Sequence, residues 1–437
     1  MKYYSTNGKA PAADLRKAVA KGLAEDRGLY MPERIPLLPE EFFERIQDLS
    51  FPEIACTVAD AFFGEDVPSG VLERIVRETL SFDCPVVKVT EHIYALELFH
   101  GPTLAFKDVG ARFMARLLEH FTKDSGETVT VLAATSGDTG SAVANGFLGM
   151  KGIEVCVLYP KGKVSSVQES QFTTLGGNIT ALEVEGSFDD CQALVKQAFL
   201  DPELGARLRL TSANSINVAR LLPQSFYFFN AYARMKERGR SDHLVFCVPS
   251  GNFGNLCSAL FGKRAGLPVK RFIAANNRND VFHEFLRTGE YIPRKSVQTL
   301  ANAMDVGDPS NFARIYDLYG GSWERIRSDI SGATVSDGQI METLSACRHE
   351  NGYVLDPHGA CGFKALTEGL EPGETGVFCE TAHPAKFLPT VEKATGAPVP
   401  VPERLAGFLK GTRKTVPLSR DFRDFKRFLS DHCAERG

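Results

Sequence analysis

TVTVLAATSGDTGSAVANGFLGM, residues 128–150, decides the fold class. It opens with a short β-branched and apolar run, passes through a loop of hydroxyl, glycine and acidic residues, and continues as a helix of small and apolar residues. The same three-part unit returns as HLVFCVPSGNFGNLCSALFGKRAG at 243–266 and as TGVFCETAHPAKFLPTVEKATG at 375–396. Short apolar strands that alternate with amphipathic helices predict parallel βαβ units, with both sheet faces covered. In such sheets the ligand crevice lies at the carboxyl ends of the strands, where the three loops fall. The spacing is irregular, so the recurrence is architectural and not an internal repeat.

Upstream, PVVKV (85–89) and YALELFH (94–100) have strand length and composition, whereas residues 1–80 read as mostly helical. ADLRKAVAKGL and EEFFERIQDL carry apolar residues at three- and four-residue spacing, separated by the Gly/Pro-punctuated GLYMPERIPLLPE. The expected organisation is an N-terminal region over 1–80 and an α/β region over 81–437. Residues 401–437, with nine basic and five acidic side chains, are expected to form a solvated helical tail.

Composition excludes several classes. A chain of 437 residues with 43% hydrophobic and 24% charged side chains is neither disordered nor fibrous. A net charge of −4 gives no basic footprint for nucleic acid or for an anionic membrane surface. The start, MKYYSTNGKAPAADLRK, lacks the apolar core of a secretory signal, and no apolar run reaches membrane-spanning length. Ten cysteines are scattered through apolar stretches without CxxC or zinc spacing, so buried thiols in a reducing cytoplasm are expected, and no metal site. Monomer and dimer are both compatible with the sequence.

Five constellations could carry chemistry. SGNFGN (250–255) joins a strand to a helix. Backbone amides at a helix start, approached closely through glycines, suit a phosphate, although a plain turn has the same look. It is neither GxGxxG nor a P-loop. TSGDTG (135–140) has the same design, and Asp138 there is equally a good helix-start residue. Lys107 begins a helix whose inward face also carries Gly110, Ala111, Met114 and Leu118. Desolvation and the positive helix end both favour the neutral amine that attacks carbonyls; a snorkelling surface lysine is the plain alternative. In NSINVAR (214–220), Asn214, Ser215 and Arg220 could converge on an oxyanion, or Arg220 could serve a structural ion pair. In TAHPAKF (381–387), Thr381 could face a ligand ring or cap the next helix, and His383, like His358, reads as a structural histidine.

Taken together, ELFHGPTLAFKD, ATSGDTG, LYPKGK, SANSIN, VPSGNFGN, LANAMDVG and TAHPAKF stand in an order that resembles the threonine synthase family. These are pyridoxal-phosphate enzymes of fold type II, the tryptophan-synthase-β type. The motifs span residues 97–387, and MKYYSTN with GLYMPERIP resembles the family's N-terminal region. The resemblance implies two parallel βαβ sheets, in a large and a small domain, plus the helical N-terminal region. It implies that Lys107 holds pyridoxal phosphate as a Schiff base, that Gly251, Asn252, Phe253, Gly254 and Asn255 bind its phosphate, and that Thr381 meets the ring nitrogen. Thr135, Ser136, Gly137, Asp138 and Thr139 are then expected to hold the substrate carboxylate. Thr139, Asn214, Ser215 and Arg220 are expected to hold the substrate phosphate. Many fold type II enzymes carry Asn where this chain has Asp138. The implied reaction turns O-phospho-L-homoserine and water into L-threonine and phosphate. Rival readings are another pyridoxal-phosphate enzyme of this fold, such as a phospho-lyase or threonine dehydratase, and a non-catalytic anion-binding α/β protein.

Overall fold

The computed structural model describes residues 1–123 and 128–432. It divides into two compact units: Met1–Tyr30 with Lys107–Arg220 and Val401–Gly437, and Met31–Phe106 with Leu221–Pro400.

The first unit is built on a five-stranded sheet in the order Val416–Leu418, Ile179–Val184, Ile153–Pro160, Val129–Ala134, Arg209–Ser212. Every neighbouring pair is parallel. The central strands are almost continuously apolar and buried, as strands covered on both faces must be. The helix Lys107–Thr122 packs against the helix Asp138–Phe147, and its Val109, Phe113, Met114, Leu117 and Leu118 are fully buried. The chain adds strands in one direction from Val129–Ala134 and then returns to its other side with Arg209–Ser212. The topological switch point therefore lies between the loops that follow these two strands.

The second unit holds a six-stranded sheet in the order Ile330–Thr334, Arg271–Asn276, Leu244–Pro249, Thr375–Glu380, Ile93–Glu97, Val86–Lys88. It is parallel except for the edge pair Val86–Lys88 with Ile93–Glu97. Here the switch point falls between Leu244–Pro249 and Thr375–Glu380. Thus TSGDTG and SANSIN flank one switch point, and SGNFGN and TAHPAKF flank the other. Helices dominate Met31–Leu80 in this unit, with Phe51–Phe63 and Ser69–Thr79 packed together. At the sheet's far end Glu374 takes two hydrogen bonds from Arg271, at 2.9 and 2.6 Å, and lies 2.8 Å from Lys270. Burial raises its carboxyl, but the Arg271, Glu371-amide and Lys270 hydrogen bonds outweigh that and hold it at about 2.

The C-terminal segment is not a solvated tail. Val416–Leu418 adds an edge strand, and the helix Phe422–His432 sinks Phe425 and Leu429, both fully buried, into the first unit's core. Its basic residues lie on the other face, where Lys426 pairs with Asp201 and Glu203. The charge count hid a strongly amphipathic helix. The nine described cysteines are free thiols, eight of them buried; Cys433 lies outside the described residues. No helix among the described residues is long and apolar enough to cross a membrane.

Candidate active site

In the second unit, Ser250–Phe253 connects the strand Leu244–Pro249 to the helix Gly254–Arg264. Phe253 adopts left-handed backbone, with φ 60°, which turns the chain into the helix. A Cβ on Gly251 would lie 2.7 Å from Met304 Cα and 2.8 Å from the Ala303 carbonyl oxygen, so only glycine lets these two backbones touch. The Asn255 amide draws the loop closed: its Nδ2 donates to the Pro249 carbonyl at 2.8 Å, and its Oδ1 accepts from the Ser250 hydroxyl at 2.9 Å. Asn276 Nδ2 donates to the Ser250 carbonyl, and Asn311 Nδ2 to the Asn252 carbonyl. Asn311 in turn accepts from Arg314, a fully buried guanidinium that burial lowers to about 10. The turn is thus held from behind by side chains; the Leu256 amide donates to Asn255 Oδ1 at 2.9 Å, while the Gly254 and Asn255 amides precede the first intrahelical backbone acceptor. A glycine-enforced cradle of amides at a helix start fits a phosphate monoester.

Thr381 follows Thr375–Glu380, the strand next to Leu244–Pro249. The two strands run parallel, with Phe378 paired to Cys247, so Thr381 and Ser250 both leave the carboxyl ends of neighbouring strands. A single antiparallel bridge joins Ala382 to Ala105, with the Phe106 amide donating to the Thr381 carbonyl and the His383 amide to the Leu104 carbonyl. This stitch fixes the segment that leads into Lys107. Leu104 pays a local strain for it at φ 57°, and the buried Lys386 ammonium donates to the Thr103 carbonyl. His383 Nδ1 accepts from the Ala385 amide; burial, then the neighbouring His100, hold this imidazole down to about 4. His383 is therefore a neutral helix-start cap.

In the first unit, Thr135 Oγ1 accepts from the Gly137 and Gly140 amides at 2.9 and 2.8 Å, shaping the loop ahead of the helix Asp138–Phe147. Gly137 has φ 143°, and the Asp138 carboxylate accepts from Gln168 Nε2 at 2.9 Å. Thr135 and Asp138 are buried, whereas Ser136 and Thr139 are half-buried. Across the switch point, Asn214 Nδ2 donates to the Ala134 carbonyl at 3.0 Å, which brings the 214–220 segment beside the 135–139 loop. Ser215 is half-buried on the same turn. Arg220 is buried at 2% exposure, and its Nη1 donates to the Ala213 carbonyl. Its backbone meets the helix of Lys107: a Cβ on Gly110 would sit 2.6 Å from the Arg220 carbonyl oxygen and 3.2 Å from its Nε. Lys107 is half-buried at that helix start, on the face of the buried Gly110, Ala111, Met114 and Leu118.

The structure thus brings together Gly251, Asn252, Phe253, Gly254, Asn255 and Thr381 in one unit. In the other it brings together Thr135, Ser136, Gly137, Asp138, Thr139, Asn214, Ser215, Arg220 and, through Gly110, the helix of Lys107. Sequence reasoning missed the supporting residues Gln168, Asn276, Asn311 and Arg314. Only LANAMDVG, read as a family motif, pointed toward the Ala303–Met304 backing.

Comparison with known proteins identifies the class first. Residues 78–379 match the family of pyridoxal-phosphate dependent enzymes, 2–80 match the threonine synthase N terminus, and 359–429 match the threonine synthase C-terminal family. A threonine synthase of Serratia marcescens is 44% identical over 431 residues, 98% of this chain and 99% of that protein. The crystal structure of threonine synthase from Escherichia coli superposes with a TM-score of 0.93 at 43% identity, covering 99% of this chain and all of the other. A pyridoxal-phosphate-bound threonine synthase from Brucella melitensis gives 0.91 at 35% identity over 99% of each chain. The chain belongs to the threonine synthase family.

Proposed function

We propose that this enzyme converts O-phospho-L-homoserine and water into L-threonine and phosphate. The observation that carries the choice of a phosphorylated substrate is Arg220. It is a buried guanidinium seated against Gly110, one helical turn from Lys107. Arginine recognises phosphate through a planar fork of donors, and burial strengthens the attraction.

Pyridoxal phosphate, when bound, supplies an electron sink for charge left on carbon as protons depart. Lys107 is the residue that would hold it, and the amides of 251–255 its phosphate. The Thr381 hydroxyl would meet the ring nitrogen as a neutral partner. The 135–139 loop orients the substrate carboxylate, while Thr139, Asn214, Ser215 and Arg220 receive the phosphate. Lys107 Nζ, as the free amine beside the α and β carbons, would take the α proton and then one β proton. The C–O bond at the γ carbon breaks and phosphate leaves with its electron pair. A proton is then delivered to the γ carbon, which becomes the methyl group; the water oxygen bonds to the β carbon as its spare proton passes to a base, and a proton returns to the α carbon. Arg220 keeps the departing phosphate in place throughout. Asp138 is engaged by Gln168, which gives it a positioning role in the loop.

Residues 1–80 are read as the N-terminal module and 81–437 as the catalytic region, a division supported by the ranges of the family matches. Free thiols along the chain support a cytoplasmic enzyme. Incubation with O-phospho-L-homoserine tests the reaction: equal yields of threonine and phosphate are expected. Phosphate with a 2-keto acid and no threonine refutes the reading in favour of a phospho-lyase.

A further inference from the structure

Behind the candidate cofactor end of the second unit lies a pair of buried polar side chains that the reaction above does not use. Asp356 is fully buried and His358 is 2% exposed. Asp356 Oδ1 accepts from the His358 amide and lies 2.6 Å from His358 Nδ1, while Oδ2 accepts from the Ala382 amide at 3.3 Å. On the far side of the ring, the Ala303 amide donates to His358 Nε2 at 3.2 Å. An N–H pointing into Nε2 leaves the ring proton on Nδ1, aimed at the Asp356 carboxylate, so this network assigns a neutral imidazole that relays between two backbone amides. The Asp356 amide is itself tied to Glu380 Oε1 at 2.6 Å. Glu380 is fully buried; desolvation, then repulsion from Asp356, pushes its carboxyl well above the ordinary range.

The two amides held by the pair have something in common. Ala382 directly follows Thr381, the residue proposed to meet the ring nitrogen. Ala303 and Met304 are the backbone against which Gly251 of the phosphate loop closes. One dyad therefore sets both the strand end carrying Thr381 and the wall behind the phosphate turn. Resting on the proposed cofactor role of 251–255 and Thr381, we infer that Asp356 and His358 are positioning residues for the cofactor. In this arrangement His358 governs grip on the phosphate through Ala303.

A side chain that only stabilised the fold would affect phosphorylated and unphosphorylated ligands alike. The test is therefore binding of pyridoxal phosphate and of pyridoxal to the full-length chain stripped of cofactor, followed by absorbance titration, with thermal unfolding alongside. His358→Asn keeps a donor toward Asp356 and removes the acceptor for Ala303; His358→Gln keeps an acceptor near the Nε2 position. Leaving a buried amide unpaired is expected to weaken pyridoxal phosphate about tenfold or more in His358→Asn, with pyridoxal changed by less than about threefold. His358→Gln is expected to bind pyridoxal phosphate within about threefold of wild type, and it carries the test if the asparagine variant does not fold. Equal losses for both ligands, no loss for either, or a tenfold loss in the glutamine variant would overturn the inference. A wild-type chain that binds both ligands equally would overturn the phosphate-loop reading itself, and the inference with it.

Discussion

Gly110→Ala is the substitution that separates the architecture of the site from the stability of the fold. Gly110 lies inside the helix Lys107–Thr122, three residues beyond Lys107. Its added Cβ would stand 2.6 Å from the Arg220 carbonyl oxygen. Carbon–oxygen contacts settle at about 3.3–3.6 Å, so the two must separate by about 0.7–1 Å. Both atoms are tied to backbone, and no side-chain rotation relieves the clash. Alanine gains about 1 kcal/mol over glycine in a helix interior, whereas overpacking costs about 1–3 kcal/mol. The net stability change is therefore small, about 0–2 kcal/mol. Activity is a different matter, because Arg220 and the helix start carrying Lys107 move relative to each other. Loss of one well-aligned charge-assisted contact to phosphate costs about 1.5–3 kcal/mol, or roughly 10–150-fold in kcat/KM. Steady-state phosphate release from O-phospho-L-homoserine measures this, with unfolding monitored in parallel. A variant whose kcat/KM stays within about threefold of wild type would refute the assignment of Arg220 to the substrate phosphate.

Three further outcomes follow from the same structure. Lys107→Ala is expected to abolish both turnover and the visible absorption band of lysine-bound cofactor; normal turnover would remove Lys107 from the mechanism. Glu374→Gln is expected to destabilise the chain by about 2–3 kcal/mol at pH 7, because the ionised carboxyl is what Arg271 holds. The folded-state value lies below the unfolded one, so this stability is fully present above about pH 5. It fades as pH falls toward about 2, so urea unfolding of variant and wild type should converge on acidification. Phe425→Ala, which empties a fully buried ring position, is expected to cost about 3–5 kcal/mol in the same assay.

The site's loops were legible because each carries its own local signal. A buried strand, a glycine- and hydroxyl-rich turn and a helix start are written consecutively at 128–150 and at 243–266. Parallel pairing then sets each turn at the carboxyl ends of the strands of its own sheet. Lys107 was legible for a similar reason: its partners on the helix face recur every three or four residues. What holds these parts was not legible. His358 reaches Ala303 across 55 positions and Gln168 reaches Asp138 across 30, and no periodicity encodes such pairings. The close approach of Gly110 to Arg220 is likewise invisible until the chain folds, since a helical glycine looks only like a weak helix former. The C-terminal helix misled for another reason. Charge dominates its composition, while its burial depends on only a few apolar positions, among them Phe425 and Leu429, one turn apart.

The most direct test of the central claim is product analysis on purified protein that shows a pyridoxal-phosphate absorption band. Supplied with O-phospho-L-homoserine in isotopically labelled water, it is predicted to release threonine and phosphate in equal amounts, with the water oxygen on the threonine β carbon. Phosphate released with a keto acid and no threonine, or no turnover by protein carrying its cofactor, would contradict the account.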